Sequence, residues 1–367
     1  MGTSALFRDG YRSFFLAFPL VGAVALTLWT LALHGRLHAT PAEHGALMLW
    51  GVLGLAVLGF LFTAYPRQNE APPPGPPLLL AALGLSLGSS ALTLASWAGA
   101  PTAAWGAGLR LALWAGVLGW SLTVAIPSLR RKPEATTAAV PVALALGMVG
   151  QGLALWGPNP SQGVALGLHG WLIGLALSLL DRLLPFFSRA VPGWAGARRP
   201  YFIPALLLVL TLRGLGWGPA WAWDGGVLLL LARQLHGWQA WKLLRAPMVL
   251  VLVVAVGWLV VGYAVDIALG PGPAATHLWT VGGLGTLVLG IATRVSRGHG
   301  GLPVALDGAG ATALVLVQLA ALTRAVLPLV VDLPPAVAWD GGATLLSLAL
   351  LVWLGRHAPL LWRLPKG

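Results

Sequence analysis

Long apolar runs follow one another along this sequence, and they limit what the chain can fold into. A helix needs about 20 mostly apolar residues to cross the hydrocarbon core of a bilayer. Runs of roughly that length occupy residues 13–33, 44–65, 77–97, 105–129, 137–156, 163–185, 201–217, 220–242, 248–269, 276–296, 309–331 and 336–355. The sequence therefore predicts an all-α, polytopic transmembrane bundle of about twelve helices, with residues 1–367 forming a single integral membrane domain.

Composition supports this class of protein. Charged residues make up 9% of the chain, whereas soluble domains carry roughly 25%, so the chain has too few charges to cover a globular surface. The sequence contains no Cys. Thiolate metal sites and disulfides are therefore excluded, and His, Met and carboxylates remain as the candidate metal ligands.

The basic residues lie singly or in short groups at the ends of the apolar runs, although the net charge is +12. This pattern is typical of charges that orient membrane helices, and it argues against a nucleic-acid partner and for the lipid bilayer. The N-terminus, the connections after even-numbered runs and the C-terminus hold Arg8, Arg12, Arg67, Arg130, Arg131, Lys132, Arg182, Arg189, Arg198, Arg199, Lys242, Arg245, Arg294, Arg297, Arg356, Arg363 and Lys366. We therefore expect both termini in the cytoplasm, with the chain in the inner (cytoplasmic) membrane.

A short motif indicates an internal repeat. Trp223-Asp-Gly-Gly opens run eight, Trp339-Asp-Gly-Gly opens run twelve, and Trp105-Gly-Ala-Gly opens run four at nearly the same spacing. The spacing favours three four-helix repeats, over about 1–132, 133–246 and 247–367. Chance is the alternative, because the chain contains 49 Gly and 19 Trp.

Two histidines occupy the same membrane depth on different predicted helices. His44 lies at the outer mouth of run two and His277 at the outer end of run ten. Neutral imidazole is an axial ligand of haem iron, so the pair predicts haem b between helices two and ten near the outer face. The glycines at 282, 283, 285 and 290 could leave a planar slot below His277. The alternatives are close helix packing for the glycines and an interfacial polar role for the histidines.

Other polar residues in or beside the runs are weaker candidates. His169, about two turns into run six, is a candidate second-site group. Arg294 and His299, at the inner end of run ten, could bind an anionic group such as a haem propionate or anchor the helix in lipid headgroups.

Arg233 and Arg324 lie within runs and require a partner or a wet cavity, with Asp266 as a candidate partner for either. Motifs for nucleotide binding or zinc hydrolysis are absent from the sequence.

Three segments resemble the NnrS family. The first is His44-Gly-Ala-Leu-Met48, continued by Gly59-Phe-Leu-Phe-Thr-Ala-Tyr-Pro66. The second is Asp181-Arg-Leu-Leu-Pro-Phe-Phe-Ser-Arg189. The third is His277-Leu-Trp-Thr-Val-Gly-Gly-Leu-Gly-Thr286, which runs on to Thr293-Arg-Val-Ser-Arg-Gly-His299. The resemblance covers essentially the whole chain.

The resemblance implies a protein that binds haem and copper and eases nitric oxide stress in denitrifying bacteria. The family's first motif contains a second His and a Glu where this chain has Ala46 and Leu47. A further His of the family is also replaced here, near Val253. Copper generally needs several nitrogen donors. We therefore expect haem b as the cofactor, with His44 and His277 as metal ligands, and copper as the second expectation.

Haem-copper oxidases offer a fold-level analogy, since they also place a low-spin haem between helices two and ten of twelve. Runs seven and eight lack the additional His ligands needed near His169, so an oxygen-reducing binuclear centre is not expected. Fold analogy does not by itself carry function.

These observations lead to one function hypothesis and two alternatives. The first is a haem-binding membrane protein of nitric oxide response or denitrification, with nitric oxide and a redox protein or other membrane subunits as partners. The second is a non-catalytic carrier or assembly factor for haem or a metal. The third is a cofactor-free membrane subunit of a larger complex. Whether the chain is an enzyme stays open at this stage.

Overall fold

The computed structural model describes residues 6–362, and within that range it contains helices and no strand. When contiguous α and π stretches are counted as one helix, twelve long helices result. They are α1 Gly10–Leu33, α2 Pro41–Gln68, α3 Pro76–Trp97, α4 Ala103–Arg131, α5 Ala135–Trp156, α6 Pro160–Ser188, α7 Phe202–Gly214, α8 Ala220–Gly237, α9 Pro247–Leu269, α10 Pro273–His299, α11 Gly308–Val330 and α12 Pro335–Trp362. The all-α polytopic bundle predicted from the sequence is confirmed.

Ten of these helices, within the described residues, are long and apolar enough to cross a membrane, and the other two are α7 and α8. The predicted run 201–217 is an α-helix of 13 residues, which rises about 20 Å, less than the hydrocarbon thickness of about 30 Å. The predicted run 220–242 ends early, because the positive φ of Gln239 (50°) breaks it before a short 3₁₀ turn at Ala240–Arg245.

The α7–α8 hairpin nevertheless reaches the same end of the bundle as the spanning helix α9. Arg213, near the end of α7, bonds Asp224 at the start of α8 (2.7 Å) and Asp266 near the end of α9 (2.6 Å). We call this end, where the even-numbered helices begin, the histidine end, since His44 and His277 lie there. The opposite end is the arginine end.

The first turns of the helices that carry the candidate histidines are conformationally restricted. Pro occupies the first turn of α2, α6 and α10, where its missing N–H costs no hydrogen bond. The Thr40 hydroxyl accepts the Glu43 amide (3.2 Å), and the Glu43 carboxylate accepts the Thr40 amide (2.7 Å). This capping box fixes the entry of α2, so His44 sits at a defined place one turn into the helix.

Helices α2, α6 and α10 form the centre of the bundle. Their most apolar stretches are 72%, 83% and 61% buried, against 33–50% for the other spanning helices. Each contains a π-helical segment, at Leu47–Leu53, Gly167–Ile173 and Leu278–Gly285 respectively. A fourth π segment, Leu322–Val326, lies in α11. π segments are rare in proteins and often mark functional sites.

The glycines of α10 serve mainly close helix packing. A Cβ built on Gly282, Gly283 or Gly290 would lie 2.5–2.8 Å from side chains of α9, a separation that real atoms do not adopt. These three glycines therefore allow α9 and α10 to pack closely. This agrees with the alternative of close helix packing rather than with a planar slot below His277. Gly285 differs, because it lines a cavity.

Ion pairs connect neighbouring elements at the arginine end. Glu134, just before α5, pairs with Arg182 (3.0 Å) and Arg198 (2.8 Å), and Arg198 also reaches the buried Asp181 (2.9 Å). Two residues of the predicted cytoplasmic charge, Arg363 and Lys366, lie outside the described residues. The threefold repeat of four helices stays a prediction.

Candidate functional site

A cavity of about 510 Å³ opens at the histidine end, between α1, α2, α6, α10, α11 and α12. Its walls are mainly apolar side chains, and its polar lining includes His44, His277 and Arg324. Cofactor and small-molecule sites typically measure about 300–1,000 Å³ and combine apolar walls with a few polar groups. This cavity has both properties, so it is the candidate site.

His44 is held against α1 by ring stacking. Its imidazole lies 4.2 Å from the Trp29 ring, measured between centroids, at an interplanar angle of 15°. Its Nδ1 atom is buried and has no hydrogen-bond partner among the described residues. A buried polar atom without a partner costs about 1–3 kcal/mol. His44 therefore lines the cavity with one unsatisfied ring nitrogen, which makes it a candidate ligand.

His277 has a defined tautomer. Its Nδ1 atom lies 2.6 Å from the Pro273 carbonyl oxygen, and because a carbonyl oxygen only accepts, Nδ1 carries the proton. The lone pair of His277 is then on Nε2. A hydrogen bond from the second ring nitrogen to a carbonyl is the usual way proteins orient a metal-binding imidazole.

Arg324 brings a positive charge into this mainly apolar cavity. None of the lining side chains is a carboxylate, and no hydrogen bond or ion pair joins Arg324 to another residue in the described part of the chain. Gly342 of α12 lets this side chain pack closely, since a Cβ there would lie 2.8 Å from the Arg324 Cβ atom. The cavity therefore offers an uncompensated cation to an anionic group.

The partners of the other buried charges differ from those proposed from the sequence. Asp266 binds Arg213, so it is not the partner of Arg324 or of Arg233. Arg233 instead donates to the Tyr201 hydroxyl (3.2 Å).

His169 lies outside the cavity. It is 2% exposed, its Nδ1 is 3.1 Å from the Tyr263 hydroxyl of α9, and its ring is 4.8 Å from that of Trp279. The preceding residue, Leu168, lines the cavity. His169 therefore faces α9 and α10 on another side of α6, where it could serve a second site but not the first.

Arg294 and His299 lie toward the arginine end of α10. The Arg294 guanidinium stacks over the Phe187 ring at 3.7 Å. The His299 ring bonds the Val295 carbonyl (3.0 Å) and contacts Arg67. The structure thus brings His44 and His277 into one cavity, and places Arg294 and His299 elsewhere.

Three contacts of carboxylates with Arg or His side chains on other helices were not anticipated from the sequence. Arg213 bridges Asp224 and Asp266, and His34 at the end of α1 lies 3.1 Å from Asp340 of α12. Asp224 and Asp340 are the acidic residues of the two Trp-Asp-Gly-Gly motifs. The motif was therefore a usable signal for them, although it gave no indication of their partners.

Each π segment in the described chain contains or adjoins one of the candidate polar residues. His277 directly precedes such a segment, His44 lies three residues before the start of one, and His169 and Arg324 lie within them. A π turn adds one residue to the helical repeat and changes the direction in which nearby side chains point. Apolar periodicity cannot reveal this.

Protein side chains alone do not form a metal centre in residues 6–362, since no group of three or more His, Cys, Asp or Glu is placed to hold an ion. Two imidazoles with a cavity beside them instead suit a metal whose other ligands come from a macrocycle.

The chain was compared with known proteins. A family model described as NnrS protein matches residues 5–364, which is nearly the whole chain. No curated protein sequence matches it.

Proposed function

Because this chain belongs to the NnrS family, a family of membrane proteins associated with nitric oxide response, we propose that it binds haem b through His44 and His277. The observation that carries the proposal is that two imidazoles with available lone pairs line one largely apolar cavity beside an unpaired arginine. Bound haem would supply a redox-active iron, which suits one-electron transfer when both imidazoles are ligands and would bind nitric oxide only when one of them is released.

The residues that line the cavity suit a haem group, both its flat faces and its iron. The apolar walls suit the faces of a porphyrin, which is flat and wide. Pro273 holds His277 with Nε2 free, and the Trp29 ring holds the plane of His44. These contacts orient both imidazoles before any ligand enters, which reduces the ordering cost of binding.

Arg324 suits the carboxylates of the bound group. A guanidinium presents several N–H donors in a plane and matches carboxylate geometry. Its charge in a cavity with no carboxylate side chain favours an anionic ligand, and it also disfavours additional positive charge on a bound metal. Arg324 therefore acts as an electrostatic positioning residue in this proposal.

The distribution of basic residues supports an orientation in the inner membrane with both termini in the cytoplasm. The histidine end, with its cavity, would then open toward the outer face. Nitric oxide is neutral and enters the bilayer freely, so this position is accessible to it from the membrane and from outside.

Absorption spectra of the detergent-purified protein, oxidised and dithionite-reduced, test the proposal. We expect a Soret band in the wild type and sharp reduced bands typical of six-coordinate haem b. His44→Ala and His277→Ala should each lose the six-coordinate spectrum. His38→Ala, which changes an exposed histidine in the α1–α2 loop, is the matched control and should keep it.

A folded wild type that is produced in haem-replete cells and has no Soret band would refute the proposal and favour a cofactor-free membrane subunit. Retention of the band in both cavity variants would place haem elsewhere. Metal analysis of the same samples tests the copper expectation, and reduction by a quinol or consumption of nitric oxide would separate a redox protein from a carrier.

A further inference from the structure

A second, smaller cavity of about 70 Å³ lies in the middle of the bundle, between α1, α2, α6 and α10. Phe15, Ala56, Leu175 and Leu284 are among the side chains that line it. The three central helices supply most of the wall, from the end of each π segment, at Leu53, Leu172 and Leu284, onward.

The chemistry of the wall excludes polar occupants. Every residue that lines this cavity is Phe, Leu, Ala, Val or Ile. A buried water needs two to four polar partners, and cavities lined only by apolar side chains stay dry and bind neutral species such as xenon. Transfer of an ion into such a space would cost more free energy than contacts with apolar side chains could provide.

The side chains around the cavity leave unfilled space between the three central helices. Val57, Ala176 and Ile291 line it, and each keeps accessible surface although it lies in one of the three most buried helices. A single water needs about 10–15 Å³ by the same type of measure, so the space exceeds that of one water molecule.

The two cavities share part of their walls. Leu53 and Val288 line both the small apolar cavity and the large histidine cavity. Leu53 is the last residue of the π segment that follows His44, and Val288 follows the π segment of α10. An apolar molecule in the small cavity is therefore separated from the large one by these side chains.

We propose that the small cavity is a binding site for a neutral diatomic gas, which is held beside the histidine cavity. The identity of the gas as nitric oxide rests on the proposed function, whereas the affinity for small neutral molecules rests on the cavity alone. Because the wall offers no hydrogen-bond donor and no charge, the site admits nitric oxide and rejects nitrite and nitrate.

Xenon tests this site without reference to haem. Crystals of the full-length protein are pressurised with xenon, and anomalous density is measured in the wild type, Ala176→Phe and Val142→Phe. Ala176 lines the cavity and the larger ring would fill it, whereas Val142 is 47% exposed on α5 and serves as the control. We expect a xenon peak in the wild type and in Val142→Phe, and none in Ala176→Phe.

Val57→Phe is the second filling variant if Ala176→Phe does not fold, and it should also abolish the peak. Absence of xenon from the wild-type cavity, or a peak that persists in a well-folded filling variant, would overturn the proposal. Xenon in a protein without a Soret band would refute the haem assignment and leave the gas site standing. A protein that binds haem but takes up no xenon in the small cavity would refute the gas site and leave the haem assignment standing.

Discussion

Arg324 is the residue whose surroundings are least expected for a membrane interior. A charged side chain within a spanning segment usually has an opposite charge or water beside it, yet the lining of its cavity contains no carboxylate. The charge is therefore a functional feature under our proposal, since it would be compensated only by an anionic ligand.

Replacement of Arg324 by Gln is expected to reduce haem occupancy several-fold and to lower the reduction potential of the bound haem, because removal of a nearby positive charge stabilises the oxidised iron. Haem content per protein and a spectroscopic redox titration measure the two effects. Arg36→Gln, in the exposed α1–α2 loop, is the control. An Arg324→Gln variant with unchanged occupancy and potential would contradict the proposed role.

Asp307 joins three elements at the arginine end. Its carboxylate caps α11 through the Gly310 amide (3.0 Å) and accepts from Arg297 (2.6 Å) and from Arg356 of α12 (2.7 Å). Burial raises the pKa of Asp307, but the Gly310 hydrogen bond and the Arg356 guanidinium lower it by more, so the pKa lies below its usual value. The ionised form is thus favoured in the folded state.

Asp307→Asn is expected to lower the thermal unfolding midpoint at neutral pH by roughly 2–4 °C, which corresponds to about 1 kcal/mol. Asn can still cap the helix, so the loss reports the charge. Because the folded-state pKa is depressed, the stabilisation is present above the unfolded-state pKa of about 3.9 and is lost as the pH falls through the lower folded value. The difference between the two proteins should therefore shrink below about pH 4.

Asp332→Asn is the matched control, since Asp332 is exposed in the loop between α11 and α12. Its unfolding midpoint should follow that of the wild type. A difference between wild type and Asp307→Asn that stays constant down to acidic pH would show that the charge of Asp307 is not what stabilises this corner.

At this scale the sequence predicted the pair that shares the cavity, because His44 and His277 begin two even-numbered runs and so had to lie at one end. It could not predict the partner of Asp266. The sequence placed Asp266 near the end of run nine, but the choice between Arg213, Arg233 and Arg324 depends on which helices are neighbours. Apolar periodicity carries no such information.

Among the elements, the π segments lie beside or around the histidines, and we expect them to set the directions of these side chains. Removal of one residue from the π segment of α10 would restore α geometry and turn His277 by about 100° relative to the rest of the helix. We expect deletion of Val281 to abolish the six-coordinate haem spectrum while the protein still inserts and purifies as a monodisperse species.

Deletion of Pro73, in the exposed loop between α2 and α3, is the control for loss of one residue and should keep the spectrum. Size-exclusion chromatography and absorption spectra of both variants are the measurements. A normal haem spectrum in the Val281 deletion would show that the π segment does not position His277.

The helix boundaries were predicted closely for ten of the twelve runs, because the lengths of membrane spans are set by the bilayer. The exceptions are α8, which ends at Gly237, before the end of its predicted run, and α12, which continues past its predicted run to Trp362. The run 220–242 is apolar enough to read as one span, but the left-handed backbone at Gln239 ends the α-helix before that residue.

For the molecule as a whole, the absence of Cys permits a direct test of topology. Single cysteines at Arg36→Cys and Trp217→Cys should react with a membrane-impermeant maleimide on intact cells. Arg130→Cys and Arg189→Cys should react only after lysis, because the native positions are exposed at the arginine end. The wild type is the unlabelled control.

Trp217 is the informative position, since it lies in the turn of the short α7–α8 hairpin. The Arg213 bridge to α8 and α9 places that turn at the histidine end, so its label should match that of Arg36. A label that instead matches Arg130 would mean that the hairpin does not cross, and would overturn the orientation assigned to these helices.

The helices that enclose the large cavity include α1 and α12, which come from opposite ends of the described residues. Helices α1 and α12 pack together, and His34 and Asp340 join them at 3.1 Å beside the opening. During synthesis the pocket therefore lacks a wall until α12 has entered the membrane. Under the proposed function, haem would be bound only after that step, and a product truncated before α12 would lack this side of the pocket.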